Sequence, residues 1–296
     1  MMKLNFSDKV LQVIIYFVLI LLSFITFYPF WNSLVMSFNV GSDTSLGGVT
    51  FWPRAFTLEN YQIVFKEKQI FTAYGVTIAR TLIGTFVSMF FTSLFAYALS
   101  KKGIVFKKGY MIICIVTMYF SGGLIPYFIL VYNLHLYNTF TFLIIHGMVN
   151  VYNMIIFRTF FAELPDGLEE SARIDGCSNF GVFFKIVLPI SGPVVATLGL
   201  FTAVGLWNDW FTPAVFISDQ NLIPLQTLLV QIVNAGTTAS LIQNLNTYAQ
   251  SAVQNSVTVK ALQMATMMVA TLPILFIYPF LQKYFVKGAL VGSLKE

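Results

Sequence analysis

Glu170-Ser171-Ala172-Arg173-Ile174-Asp175-Gly176, followed after nine intervening residues by Ile186-Val187-Leu188-Pro189, is a polar, acid-rich island between two long apolar stretches. Such an island in an otherwise apolar chain calls for something on the aqueous side to grip it. Around it, 57% of the 296 residues are hydrophobic and only 10% are charged, whereas a soluble domain carries about 25% charged residues. So few charges do not cover a water-facing surface, and lipid is the main solvent. The net charge of +5 is not a nucleic-acid footprint, because the lysines and arginines gather at the ends of apolar stretches, where they set membrane orientation. Cys114 and Cys177 lie in an apolar run and in the island, and form neither a disulfide framework nor a metal cluster.

A hydrocarbon core of about 30 Å needs about 20 apolar helical residues. Six stretches qualify, near residues 10–36, 72–99, 109–132, 139–161, 187–217 and 262–284. The expected fold is therefore an all-α integral membrane chain with six transmembrane helices, one domain over residues 1–296. Tyr28, Trp31, Tyr127 and Tyr278 fall near the expected interfaces. The first stretch is longer than the 7–15 apolar residues of a signal peptide and runs on through Phe27-Tyr28-Pro29-Phe30-Trp31 without a small-residue cleavage site, so it reads as a retained helix.

Basic residues give the orientation. Lys3 and Lys9 precede the first stretch, and Lys101, Lys102, Lys107 and Lys108 crowd the loop after the second. Arg158, Arg173 and Lys185 follow the fourth, and Lys283, Lys287 and Lys295 end the chain. The other side has Arg54, Lys66, Lys68 and Lys260. The positive-inside rule places both termini and the island in the cytoplasm. Two long segments, 39–71 and 218–261, then face outward; the first has turn signals at Gly41, Gly47, Gly48 and Pro53, and Leu225–Val233 in the second reads as a short interfacial helix.

Within the island, Asp166 is placed to cap a helix, with Glu169 completing a capping-box spacing. Glu169 and Glu170 in the first turn suit the helix dipole. Gly176 is placed to end this helix in a left-handed conformation, and Ser178 or Asn179 to cap a second one. Phe180, Phe183, Phe184 and Val187 are spaced as one apolar stripe of that second helix. Pro189 then opens the fifth span.

The pattern E-x-A-x3-G-x9-I-x-L-P, met here with Ser171 where the commonest form has alanine, resembles the cytoplasmic coupling loop of bacterial ABC-importer permeases. The resemblance implies the type I importer (MetI-like) permease fold, with residues 165–189 docking onto a separate ATPase subunit through Glu169, Glu170, Ser171, Ala172, Asp175, Gly176, Phe180, Leu188 and Pro189. It also implies a second homologous permease, two ATP-binding subunits and an extracytoplasmic solute-binding protein in a bacterial cytoplasmic membrane. ATP and Mg belong to the partner ATPase, and this chain is a non-catalytic subunit with no cofactor of its own. Phe120–Pro126, Ile156–Phe161 and Trp207–Pro213 are similar to the carbohydrate-uptake branch, whose type is the maltose-permease second subunit. The ending Tyr278–Gly288 is similar to a subgroup including the LplC- and YtcP-like permeases and the alginate-oligosaccharide permease second subunit. An oligosaccharide, acidic or complex, is the substrate this implies.

Trp207-Asn208-Asp209-Trp210, with Ser121 and Gly122, are candidates for a substrate pathway, since aromatic faces with amide and carboxylate groups suit sugar hydroxyls. Tryptophan at the outer end of a span equally marks the interface, and Ser121, Gly122 and Gly123 in mid-span equally suit close helix packing. The sequence has no G-x4-G-K-[ST] phosphate loop. Only Arg80 and Asp209 are candidates for ionisable groups in the spans, too few for the usual ion-coupled transporter. An importer of another solute is the first alternative, and a transporter working alone the second. His135 and His146 have no partner at metal-ligand spacing.

Overall fold

The computed structural model describes residues 6–235, 258, 260–273 and 275. Among these residues the regular elements are helical, and extended pairing is confined to one antiparallel bridge between Asn39 and Phe56. The helices are α1 (Phe6–Ser37), α2 (Gly41–Leu46), α3 (Glu59–Lys66), α4 (Lys68–Ser100), α5 (Lys107–Tyr119), α6 (Leu124–Asn133), α7 (Phe140–Ile145) and α8 (Val151–Ala162). Then come α9 (Asp166–Ile174), α10 (Asn179–Val182), a π-helical turn (Phe183–Val187), α11 (Leu188–Ile190), α12 (Gly192–Asn208), α13 (Phe211–Phe216), α14 (Leu225–Ala235) and α15 (260–273).

The described residues fall into two compact units, one within Met1–Ile70 and Leu229–Pro273, the other within Phe71–Leu228 and Ile274–Glu296. In the first unit, α1 exposes every residue from 9 to 27. Its 32 residues extend about 48 Å at 1.5 Å per residue, enough to cross a bilayer. The segment expected to be turn-rich is more ordered than that. The Asn39 amide donates to Asp43 (2.8 Å), Arg54 Nε pairs with Asp43 at 3.0 Å, and buried Asn60 donates to the Ser37 and Asn39 carbonyls at 2.8 and 3.0 Å. These bonds satisfy backbone groups that would otherwise be stranded between α1 and α3.

The second unit is organised by α4, whose 33 residues extend about 50 Å. Its buried positions include Thr77, Arg80, Ser88, Thr92, Ser93 and Ala96, while Leu82, Ile83, Phe86 and Phe91 are exposed. This inverts a soluble helix: small and polar residues face protein, and large apolar ones face outward, as lipid requires. A Cβ added at Gly84 would lie 2.9 Å from Leu206 Cδ1, so glycine there lets α4 and α12 approach closely. Asn153 on α8 donates to Thr202 on α12 at 3.1 Å, a cross-helix bond worth about 0.6 kcal/mol in membrane proteins.

Three of the six expected spans differ in form. The third is α5 and α6, bent by 112° at Phe120–Gly123, because Gly123 takes φ +89° and ends helical geometry. Ser121, Gly122 and Gly123 are exposed in this break, so they pack no helices of this chain together. The fourth is α7 and α8, separated by residues 146–150. The fifth is interrupted twice: residues 179–190 bend by 83° against α12 at Ser191, and α12 stops at Asn208 before α13 begins. Pro189 therefore sits in α11 ahead of the bend, and Pro193 starts the spanning helix. The sixth is α15 as far as it is described; Tyr278, Lys283, Lys287, Lys295 and the rest of the Tyr278–Gly288 ending lie outside the described residues. Among the described residues α1 and α4 are long and apolar enough to cross a membrane as continuous helices, and the two bent pairs bring the number to four where each is one span. α14 exists as expected but is not a surface helix, for Leu225, Leu228 and Ile232 are buried.

Candidate functional site

The island folds as a helical hairpin, with α9 and α10 joined at Gly176. Gly176 has φ +82°; its N–H donates to the Arg173 carbonyl (3.0 Å) and the Cys177 N–H to Ala172 (2.9 Å). These are the two bonds of a Schellman cap. Ser178 accepts from the Gly181 N–H at 3.2 Å and caps α10, so the serine rather than Asn179 does this work.

The start of α9 departs from the capping-box expectation. Pro165 occupies the cap position without a side-chain bond, and Asp166 is the first helical residue. Lysines from the loop after α4 take both carboxylates: Lys102 Nζ donates to Asp166 at 2.6 Å, and Lys101 Nζ donates to Glu169. Charge-assisted bonds of this kind are about twice as strong as neutral ones, which explains why the carboxylates leave the backbone N–H groups for the lysines. The Lys102 hydrogen bond holds the Asp166 carboxyl below the usual carboxylate range, and Asp166 raises the Lys102 ammonium in return. Lys101 also lies 3.9 Å over the Tyr97 ring, a cation–π contact.

The apolar stripe differs as well. Val182, Phe183 and Val187 are buried, whereas Phe180 is 63% exposed and Phe184 is also exposed. In the π-helical turn residues five apart align, so Val182 and Val187 share a face that a 3.6-residue period does not give them. That face joins Ala172, Ala96, Tyr97, Phe157 and Phe161 in one core. Packing and two lysine contacts thus seat the hairpin on α4 and α8. Glu170, Ser171, Asp175 and Pro189 remain exposed, Leu188 is half-buried, and Ile174 is 86% exposed. Between the hairpin and α4 lies a cavity of about 820 Å³ lined by Tyr97, Lys101, Glu169, Glu170, Phe180 and Phe183 among others.

The Trp207–Trp210 tetrad lies at the other end of α12, about 24 Å along its axis from Gly192, so island and tetrad are two separate sites. Here the two candidate ionisable groups turn out to be partners. Arg80 is fully buried on α4; its Nη2 donates to Asp209 Oδ2 at 2.5 Å and its Nη1 to the Asp209 carbonyl at 3.2 Å. Asp209 Oδ1 accepts from the Thr212 N–H at 3.1 Å and so caps α13. Asn208 and Trp210 are exposed, and Trp207 is half-buried. The tetrad therefore splits: Asp209 holds the break together, while Asn208 and Trp210 are open to a passing solute or to lipid. Sequence reasoning missed the roles of Lys101, Lys102 and Ile174. The first two were legible as the basic residues best placed to meet the acids of the island.

The bent spans and the capped hairpin seated on α4 and α8 fit a transport permease. Residues 88–291 match the model of the family "Binding-protein-dependent transport system inner membrane component", and the chain belongs to that family. It is an ABC-importer permease with the MetI-like fold expected from its coupling motif. Two Bacillus subtilis proteins of the expected subgroup are similar to it. The polygalacturonan/rhamnogalacturonan transport system permease protein YtcP is 38% identical, over 98% of this chain and 99% of that one. Protein LplC is 40% identical, over 92% and 90%. A chain in the crystal structure of a bacterial ABC transporter involved in the import of the acidic polysaccharide alginate superposes with a TM-score of 0.88 at 28% identity, covering 96% of this chain and all of that one.

Proposed function

We propose that this chain carries an oligosaccharide, most fittingly an acidic one, across the bacterial cytoplasmic membrane, as one of two permease subunits driven by a pair of ATPases and fed by a solute-binding protein. The observation that carries the reading is the seated hairpin, which leaves Ile174 bare and Glu170 and Phe180 accessible in an open groove beside α4. A helical hairpin gripped by two lysines and a core, yet leaving acid and bare apolar side chains accessible, is built to be held by another protein. Relatives named for polygalacturonan and alginate transport support the acidic sugar. ATP and Mg are held by the ATPases, and this subunit does no chemistry.

The complete complex in proteoliposomes should take up oligogalacturonate in an ATP- and binding-protein-dependent manner, in preference to neutral malto-oligosaccharides of equal length. Preference for the neutral sugar would overturn the acidic class, and transport of neither would overturn the sugar reading. Orientation has its own check. The lysine clusters at residues 101–108 support a cytoplasmic position for that loop. In intact cells a cysteine at Gly48 should react with an impermeant maleimide and one at Gly103 should not; the reverse pattern would invert the topology.

A further inference from the structure

α4 is fastened by charge at two places, just past its C-terminus and at Arg80, twelve residues in from its start, and each fastening meets a different working part. Just past its C-terminus, Lys101 and Lys102 hold Glu169 and Asp166 of the hairpin. That end is itself tied down, for Lys107 donates to the Ser100 and Lys101 carbonyls at 3.2 and 2.8 Å, and Arg158 Nε to the Leu99 carbonyl at 3.3 Å. Cations at the terminal carbonyls suit the helix dipole and keep the last turn from fraying. Twenty-one residues earlier, about 32 Å away along the axis, Arg80 holds the break between α12 and α13 through Asp209. The backbone between them is one uninterrupted helix. The route from the hairpin through Ser191 to the same break is bent by 83°, so it is the less direct of the two.

We propose that α4 is a connecting rod: it carries displacement of the hairpin to the Asp209 break, with Lys101 and Lys102 as positioning residues just past its C-terminus and Arg80 as the positioning residue within it. The idea rests on the coupling reading of residues 165–189, and adds to it the path by which the far end responds. A lysine clamp also explains why the acids of the island are not spent on capping their own helix. Held by α4, they make any tilt of α9 a pull on the rod.

The test is a double-mutant cycle in the reconstituted complex, scored as ATP hydrolysed per sugar imported. That ratio does not change when a variant merely lowers the amount of folded complex. Lys101→Gln should raise the ratio about tenfold, as expected when one charge-assisted bond is lost from a coupled step. Asp209→Asn should do likewise at the other fastening. Sites this far apart with no shared partner ordinarily act independently. A rod predicts that they do not: once either fastening is gone, loosening the other adds little, so the double variant should match the worse single one. Multiplying effects in the double variant would overturn the rod. Wild-type complex that hydrolyses ATP without response to loaded binding protein would instead overturn the coupling reading itself.

Discussion

Gly176→Val should leave the protein inserted in the membrane and abolish uptake. The residue sits at φ +82° with no atom within 4 Å of where a Cβ would lie, so the damage comes from backbone conformation and not from crowding. The left-handed region costs an L-residue about 1–2 kcal/mol, and a β-branched one more. Relief comes by moving Gly176 out of that region, which breaks the bonds from Gly176 to Arg173 and from Cys177 to Ala172. The angle between α9 and α10 then changes, and Ile174 and Phe180 no longer face a partner together. The core below, with Phe183 and Val187 buried, is untouched, so insertion and folding survive. Uptake per purified complex should fall at least about tenfold, the equivalent of 1.4 kcal/mol in the coupled step, and less ATPase should co-purify. Gly176→Asn is the matched control. Asparagine enters the left-handed region readily and the space around it is open, so most of the uptake should remain. Wild-type uptake in the valine variant would show that the hairpin angle does not matter to transport.

What the sequence could show follows from how local each constraint is. Gly176 and Ser178 were legible because a left-handed cap and an N-cap are decided within three or four residues. The Asp166–Glu169 capping box failed for the opposite reason: lysines more than 60 positions away offered the carboxylates a stronger partner. The phenylalanine stripe failed because a 3.6-residue period was applied to a π-helical turn, which puts Val182 in place of Phe180. Hydropathy averaged over a span passes across Phe120–Gly123 and Ser191 without a dip, although Gly122-Gly123 and Gly192-Pro193 are ordinary punctuation. The packed face of α4 was readable in principle, since Gly84, Ser88, Thr92 and Ala96 repeat small residues every fourth position. The pairing of Arg80 with Asp209 was not, for 129 residues separate them and no periodicity reaches that far.

That pairing gives the second large effect. The Arg80 side chain is 1% exposed and Asp209 24%, so the arginine depends on the carboxylate for its place in the protein. Asp209→Ala would leave a buried guanidinium with only the Leu206 and Asp209 carbonyls, at 3.4 and 3.2 Å, and would also uncap α13. Removing one partner of a buried ion pair costs about 3–5 kcal/mol, most of a typical protein's margin. Detergent-solubilised protein carrying Asp209→Ala should therefore lose its sharp thermal transition or be recovered in much lower yield. Asp209→Asn keeps one side-chain oxygen, which accepts from Arg80 or from the Thr212 N–H but not from both, so its loss should be smaller than that of the alanine variant. Replacing both groups with apolar residues, Arg80→Met with Asp209→Leu, removes the uncompensated charge and should recover most of the stability, apart from about 1 kcal/mol for the missing cap on α13. If Asp209→Ala melts like the wild type, the pair does not hold the break, and Asp209 belongs with Asn208 and Trp210 among residues whose part is to meet the solute.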